Sequence, residues 1–188
     1  MPDAALLLTP GAGADRDQPA LVAVEQALDI PVERMDFPYR KAGRRAPDRA
    51  PVLVAAVREG AAALAARTGL PPERLLLGGR SMGGRMCSMA VAEGLPALGL
   101  VLVSYPLHPP GKPDRLRVDH FGALDLPCLF VSGTKDAFGT PGELTRHAKA
   151  IPGPVTFAWI DGGDHGLRRR DAHVAEVVET WVTALLAG

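Results

Sequence analysis

The run Leu98-Gly99-Leu100-Val101-Leu102-Val103 contains no polar side chain. A strand with one wet face alternates apolar and polar residues, so a run without alternation predicts a strand covered on both faces, as parallel sheets require. Cys128 to Ser132 reads the same way until its last residue, and Ala4–Leu8, Arg74–Leu77 and Val155–Ile160 are further short apolar runs. Val32–Phe37 alternates apolar and charged residues and makes a sixth strand. Segments with helical spacing separate them. Leu21, Val24 and Leu28 precede Pro31; Leu53, Val57, Ala61 and Leu64 stripe Val52–Thr68, which Gly69 and Pro71-Pro72 close. Met86, Met89 and Ala90 follow the third run, Glu143–Ile151 the fifth, and a final helix from Asp171 carries Val174, Val177, Val178, Trp181, Val182 and Leu185 on one face. Six strands alternating with helices predict a doubly wound α/β sheet, mostly parallel, with helices on both faces. Ligands in such sheets bind beyond the C-terminal ends of the strands.

The 188 residues contain no internal repeat and no long linker, which predicts one domain over residues 1–188. The formal net charge is zero, so there is no electrostatic case for nucleic acid or an anionic membrane as partner. Met1-Pro2-Asp3-Ala4 has no basic lead into an apolar core, and no apolar run approaches the ~18 residues of a membrane span. A cytoplasmic protein is expected. Cys87 and Cys128 lack metal-type spacing and read as core thiols.

The third apolar run leads into Gly78-Gly79-Arg80-Ser81-Met82-Gly83-Gly84-Arg85. Gly79-Arg80-Ser81-Met82-Gly83 fits G-x-S-x-G, a sharp turn between strand and helix that exposes the serine hydroxyl. Glycines two residues before and after the serine are expected because a Cβ at either would strike the neighbouring strand or helix. A serine hydroxyl is a poor nucleophile unless a histidine takes its proton, and that histidine needs a carboxylate to fix its tautomer. Of the five histidines, His165 alone lies in a glycine-lined loop, Asp161-Gly162-Gly163-Asp164-His165-Gly166, between a strand and the final helix. His108 and His120 fall in the irregular stretch Ser104–Leu126, and His147 and His173 on helices. Asp136 follows the strand between serine and histidine, giving the order Ser, Asp, His. Asp125 stands at the wrong end of that strand, and Asp161 and Asp164 read as loop-holding carboxylates.

Ser81, Asp136 and His165, each at the C-terminal end of its own strand, make the chain resemble an α/β-hydrolase over essentially its whole length. Its marks are Gly79-Arg80-Ser81-Met82-Gly83, Gly133-Thr134-Lys135-Asp136 and Gly163-Asp164-His165. Within that superfamily it resembles the compact, lid-less group of dienelactone hydrolases and small carboxylesterases, with serine where the dienelactone enzymes have cysteine. The resemblance implies Ser81 as nucleophile, His165 as base and then acid, Asp136 as its orienting carboxylate, and no metal or organic cofactor. It also implies an oxyanion hole from the Met82 N–H and a donor in the loop after the first strand. Many relatives carry His-Gly there; this chain has Pro10-Gly11, so the second donor is the Ala12 N–H or, alternatively, that of Gly11.

Two loops could shape the substrate. Arg40, Lys41, Arg44 and Arg45 stand in the basic loop Pro38–Pro47, which reads as a contact for an acidic acyl group or as a solvated rim. Tyr105 and His108 could line the acyl or alcohol pocket, or belong to a Pro-rich segment that routes the chain across the sheet. Arg80 and Arg85 flank the serine, and Arg80 is expected to tie the turn to a carboxylate. Ser104–Leu126 is too short for a lid domain, which favours small or soluble esters. The expected activity is hydrolysis of small carboxylic esters or thioesters; a peptidase or amidase would use the same three groups, and a protein-interaction module would have no need of them.

Overall fold

The computed structural model describes residues 2–188. Six strands form one parallel sheet in the order β2-β1-β3-β4-β5-β6: β1 Ala5–Thr9, β2 Val32–Arg34, β3 Leu75–Arg80, β4 Gly99–Val103, β5 Cys128–Gly133 and β6 Val155–Ile160. Every pairing is parallel, with Leu7 opposite Leu77, Gly79 opposite Leu102 and Val103 opposite Val131 in the central strands. The expected doubly wound sheet is therefore present, and it is parallel throughout. Among the described residues no lid domain covers the C-terminal ends of the strands.

Burial explains the uninterrupted apolar runs. The side chains of β1, β3, β4 and β5 alternate between two cores, one on each face. Leu7, Leu77, Leu102 and Phe130 pack with Leu53, Val57 and Leu64 of α3 (Ala50–Thr68) and Met86 and Cys87 of α4 (Met82–Ala92). Leu6, Leu8, Val101 and Val131 pack with Leu21 and Val24 of α1 (Pro19–Ala27) and Val174, Val178 and Val182 of α6 (Asp171–Ala187). Both cysteines are buried and free, and burial pushes each thiol up to about 12. Among the described residues no helix is long and apolar enough to cross a membrane.

Three local expectations shift. The second strand ends at Arg34 rather than Phe37, because Phe37 and Tyr39 turn fully inward and Pro38, which has no N–H for a ladder, opens the short helix α2 (Pro38–Lys41). The start of the expected basic loop is thus helical, and the Tyr39 hydroxyl accepts from the Gly13 N–H at 3.1 Å, tying α2 to the loop after β1. The helix expected over 143–151 is α5, Pro141–His147, opened by a Thr140/Glu143 capping box and tightened into a 3₁₀ turn at Ala148–Ala150. Gly69 ends α3 in the left-handed region at φ 73°.

After β1 the chain goes outward to β2 and then crosses back over β1 to β3, so the sheet reverses direction between β1 and β3. The crevice at their C-terminal ends is where such a sheet admits a ligand. Leu77→Ala, at a fully buried central position, is expected to lower stability by about 2–5 kcal/mol, whereas Val52→Ala, 47% exposed on α3, should stay within about 0.5 kcal/mol of the parent in urea denaturation.

Candidate active site

Ser81 joins β3 to α4 with φ 51° and ψ −114°, a backbone conformation that costs a non-glycine residue roughly 1–3 kcal/mol. Hydrogen bonds on both sides hold it: its N–H donates to Val103 O at 2.8 Å, and its carbonyl accepts from the Arg85 N–H at 3.1 Å. A Cβ on Gly79 would fall on the Thr9 carbonyl and Oγ1, and one on Gly83 would lie 2.5 Å from the same atoms and 2.6 Å from Pro10 O. The two glycines are thus required by the end of β1, as expected of them. Thr9 is fixed in turn by donating Oγ1–H to Gly78 O at 3.0 Å.

His165 reaches the turn from the loop between β6 and α6. That loop contains two left-handed residues, Leu167 (φ 46°) and Arg169 (φ 62°), and the buried Leu167 side chain anchors it in the α1/α6 core. Asp164 Oδ1 accepts from the Leu167 N–H at 3.0 Å, and Asp161 Oδ1 accepts from the Thr134 hydroxyl at 3.4 Å, so both carboxylates hold the loop. Gly133, at the end of β5, lets the Gly163 backbone come against it, where any Cβ would collide with the Gly163 carbonyl. This contact brings the loop bearing Asp136 beside His165.

Ser81 Oγ lies 2.8 Å from His165 Nε2, and His165 Nδ1 lies 3.0 and 2.9 Å from the two oxygens of Asp136. Asp136 is 1% exposed and also accepts the Phe138 N–H at 2.8 Å. A carboxylate on Nδ1 keeps the proton there, leaving Nε2 free to accept from the serine. The Phe138 ring stacks on the imidazole with centroids 3.8 Å apart. Arg80, almost fully buried, donates to the His165 carbonyl. The expected carboxylate partner is therefore a backbone carbonyl. Burial lowers the Arg80 pKa, while the nearby charges of Asp136, Asp171 and Asp164 oppose that shift.

A cleft of about 420 Å³ opens over Ser81, with Ala12, Met82, Pro106 and Phe138 in its wall beside the polar groups Gln18, Arg80, Arg85 and Arg117. Gly11 and Ala12 both line it, but the Gly11 N–H is already donated to Gln18 Oε1 at 3.0 Å. The three remaining candidates lie elsewhere. Arg40 is drawn to Asp15 Oδ2 at 3.1 Å, outside the cleft wall. Tyr105 is a core residue, 1% exposed and packed on Phe121 and Phe130, with its hydroxyl donated to Arg117 O at 2.6 Å. His108 is buried against α5, with Nδ1 2.9 Å from Pro109 O and Nε2 3.4 Å from Glu143 Oε1. In each case a nearer partner within the protein engages a side chain that sequence position alone offered to a substrate.

Gln18, Pro106, Arg117 and Phe138 come to the cleft without having been singled out. Only Phe138 carried a signal, as the one aromatic residue in the Asp136 loop. A second serine–histidine contact also exists: Ser88 Oγ lies 2.8 Å from His120 Nε2. Ser88 is wholly buried in α4 and gives its proton to Arg85 O at 2.8 Å, so this pair fastens the 104–126 segment to the helix.

A doubly wound parallel sheet with a serine on a strained strand-to-helix turn, hydrogen-bonded to a histidine and through it to an aspartate, defines an α/β-hydrolase. Residues 2–186 match the family described as alpha/beta hydrolase domain, and the chain belongs to it. The fold is shared with an alpha-beta serine hydrolase homologue from Coxiella burnetii, with TM-score 0.78, 16% identity and coverage of 96% of this chain and 85% of that one. It is shared with the esterase domain of a Rhodothermus marinus protein, with TM-score 0.72, 20% identity and coverage of 98% and 88%. A dienelactone hydrolase from Anabaena variabilis gives 0.76, 17%, 97% and 87% in the same order.

Two outcomes follow from this geometry. Gly83→Ala is expected to cost about 1–3 kcal/mol or more in thermal or urea unfolding, since the clash is with backbone that cannot swing aside. Burial, and then the charge of Arg85, push His120 down to about 4 from its usual 6.5. Between those values the unfolded chain binds the extra proton, so this contribution destabilises the fold progressively as pH falls from about 6.5 to about 4. Urea denaturation at a series of pH values should therefore show a shallower acid loss for His120→Gln than for the parent.

Proposed function

We propose that the protein is a serine hydrolase that cleaves small carboxylic esters or thioesters through an acyl-enzyme. The unbroken chain from Ser81 Oγ through His165 to Asp136, at 2.8 and 2.9 Å, carries this reading. Ser81 Oγ attacks the carbonyl carbon as its proton passes to His165 Nε2, and the carbonyl oxygen takes the negative charge. The Met82 N–H, at the first turn of α4, and the Ala12 N–H are the donors for that oxygen. Gly11 is the poorer choice because Gln18 already holds its N–H. The helix N-terminus adds a favourable partial charge. Collapse breaks the bond to the alkoxide or thiolate, which takes the proton from Nε2. Water then gives a proton to Nε2 and adds to the acyl carbon; the acyl–Oγ bond breaks and the proton returns to Ser81. The products are a carboxylic acid and an alcohol or thiol.

The open cleft and the absence of a lid domain among the described residues support short, water-soluble substrates over long acyl chains. Asp136 fixes the imidazole tautomer, and Phe138 holds the ring from its flat side. A fluorophosphonate probe is expected to label the parent protein and to leave Ser81→Ala unlabelled. Turnover of p-nitrophenyl butyrate should fall by about 10³-fold or more in Ser81→Ala and in His165→Ala, with little further loss in the double variant. A well-folded parent that takes no label and turns over no ester would overturn the reading.

A further inference from the structure

Among the described residues the cleft over Ser81 holds three guanidinium groups, Arg80, Arg85 and Arg117, and no carboxylate lines it. Arg80 is engaged by the His165 carbonyl. Arg85 and Arg117 form no ion pair among the described residues, and Arg85 Nε is buried without a hydrogen-bond partner. Some arginines outside the cleft do have carboxylate partners: Arg34 is paired with Asp17 and Glu25, Arg40 with Asp15, and Arg67 with Glu33. The two cleft arginines also repel each other. Burial and then the Arg85 charge lower the pKa of Arg117, and the same charge helps to depress His120. Two like charges held together, partly desolvated and without a counter-ion, are destabilising until an anion arrives.

The layers of the fold indicate which half of a substrate would bring that anion. His165 comes over the sheet from the side of α1 and α6, where Leu167 anchors its loop. Arg85 is on α4, and Arg117 is fastened through its carbonyl to Tyr105, so both belong to the α3/α4 side. The leaving group must lie within reach of Nε2 to collect its proton. The acyl chain then extends the other way, toward the two arginines.

We propose that Arg85 and Arg117 form a carboxylate seat for the acyl half of the substrate, so that the preferred substrates are half-esters or half-thioesters of short dicarboxylic acids. This rests on the hydrolase reading of Ser81. Guanidinium groups suit the task because their planar forks match a carboxylate.

The test compares p-nitrophenyl hydrogen adipate with its methyl-capped neutral counterpart at low ionic strength, with spontaneous hydrolysis subtracted. The parent should favour the anionic ester by about tenfold or more in kcat/KM, and this ratio should fall toward one in Arg85→Gln and in Arg117→Gln. Circular dichroism verifies that each variant is folded, and the two substitutions, one on a helix and one on a loop, serve as independent trials. Equal kcat/KM for the two esters in the parent, or a preference that survives both substitutions, overturns the seat while the hydrolase reading stands. If neither ester is turned over and the fluorophosphonate does not label Ser81, the hydrolase reading fails and calorimetry with adipate itself decides the seat. Saturable, salt-sensitive binding lost in both variants supports it, and no binding overturns it.

Discussion

Thr9 lies so close to the Ser81 turn that neither Gly79 nor Gly83 could carry a side chain, and the geometry of the site follows from this contact. A left-handed serine is unfavourable in isolation, and any slack would let the backbone relax and swing the hydroxyl away. Here the end of β1 blocks that relaxation from one side, while the Val103 carbonyl takes the Ser81 N–H from the other. The same contact sets the Ala12 loop beside the start of α4, because both leave the sheet from paired strands, with Thr9 opposite Gly79. Nucleophile position and the proposed oxyanion donors are thus consequences of one close approach.

The rest of the proposed triad depends on a second close approach, between the ends of β5 and β6. Gly133 lets the Gly163 backbone rest on it, so loops from neighbouring strands place Asp136 and His165 side by side. Arg80 then links this assembly to the turn by donating to the His165 carbonyl. A residue adjacent to the proposed nucleophile therefore positions the proposed base through its main chain, leaving both imidazole nitrogens free for Ser81 and Asp136. The stacked Phe138 ring restricts the remaining rotation.

The walls of the cleft are polar and cationic because the two sides of the sheet supply different things. The α1/α6 side delivers His165 and the buried Arg80; the α3/α4 side delivers Arg85 and Arg117. Tyr105, Phe121 and His120 pin the 104–126 segment against α4, so Arg117 is held on a fixed support. Both line the cleft over Ser81, and no lid domain covers it among the described residues.

Hydrophobic periodicity determined the sheet. A run such as Leu98 to Val103 has no stable alternative to burial on both faces, and that requires helices above and below. The juxtaposition of Ser81, Asp136 and His165 was legible for a related reason: the topology puts the C-terminal ends of parallel strands together, so residues just past those ends meet. Partner choice was not legible. Arg40, Tyr105 and His108 lie just past strand ends too, yet Asp15, the Arg117 carbonyl and α5 claimed them, because a nearby hydrogen bond or a core position outcompetes a solvent-facing cleft. The proposed choice of Ala12 over Gly11 depends on where the Gln18 amide falls, and the proposed Arg85 and Arg117 seat on two elements distant in sequence. Such contacts are set by side-chain packing between elements, which periodicity does not encode, so only the tertiary structure decided them.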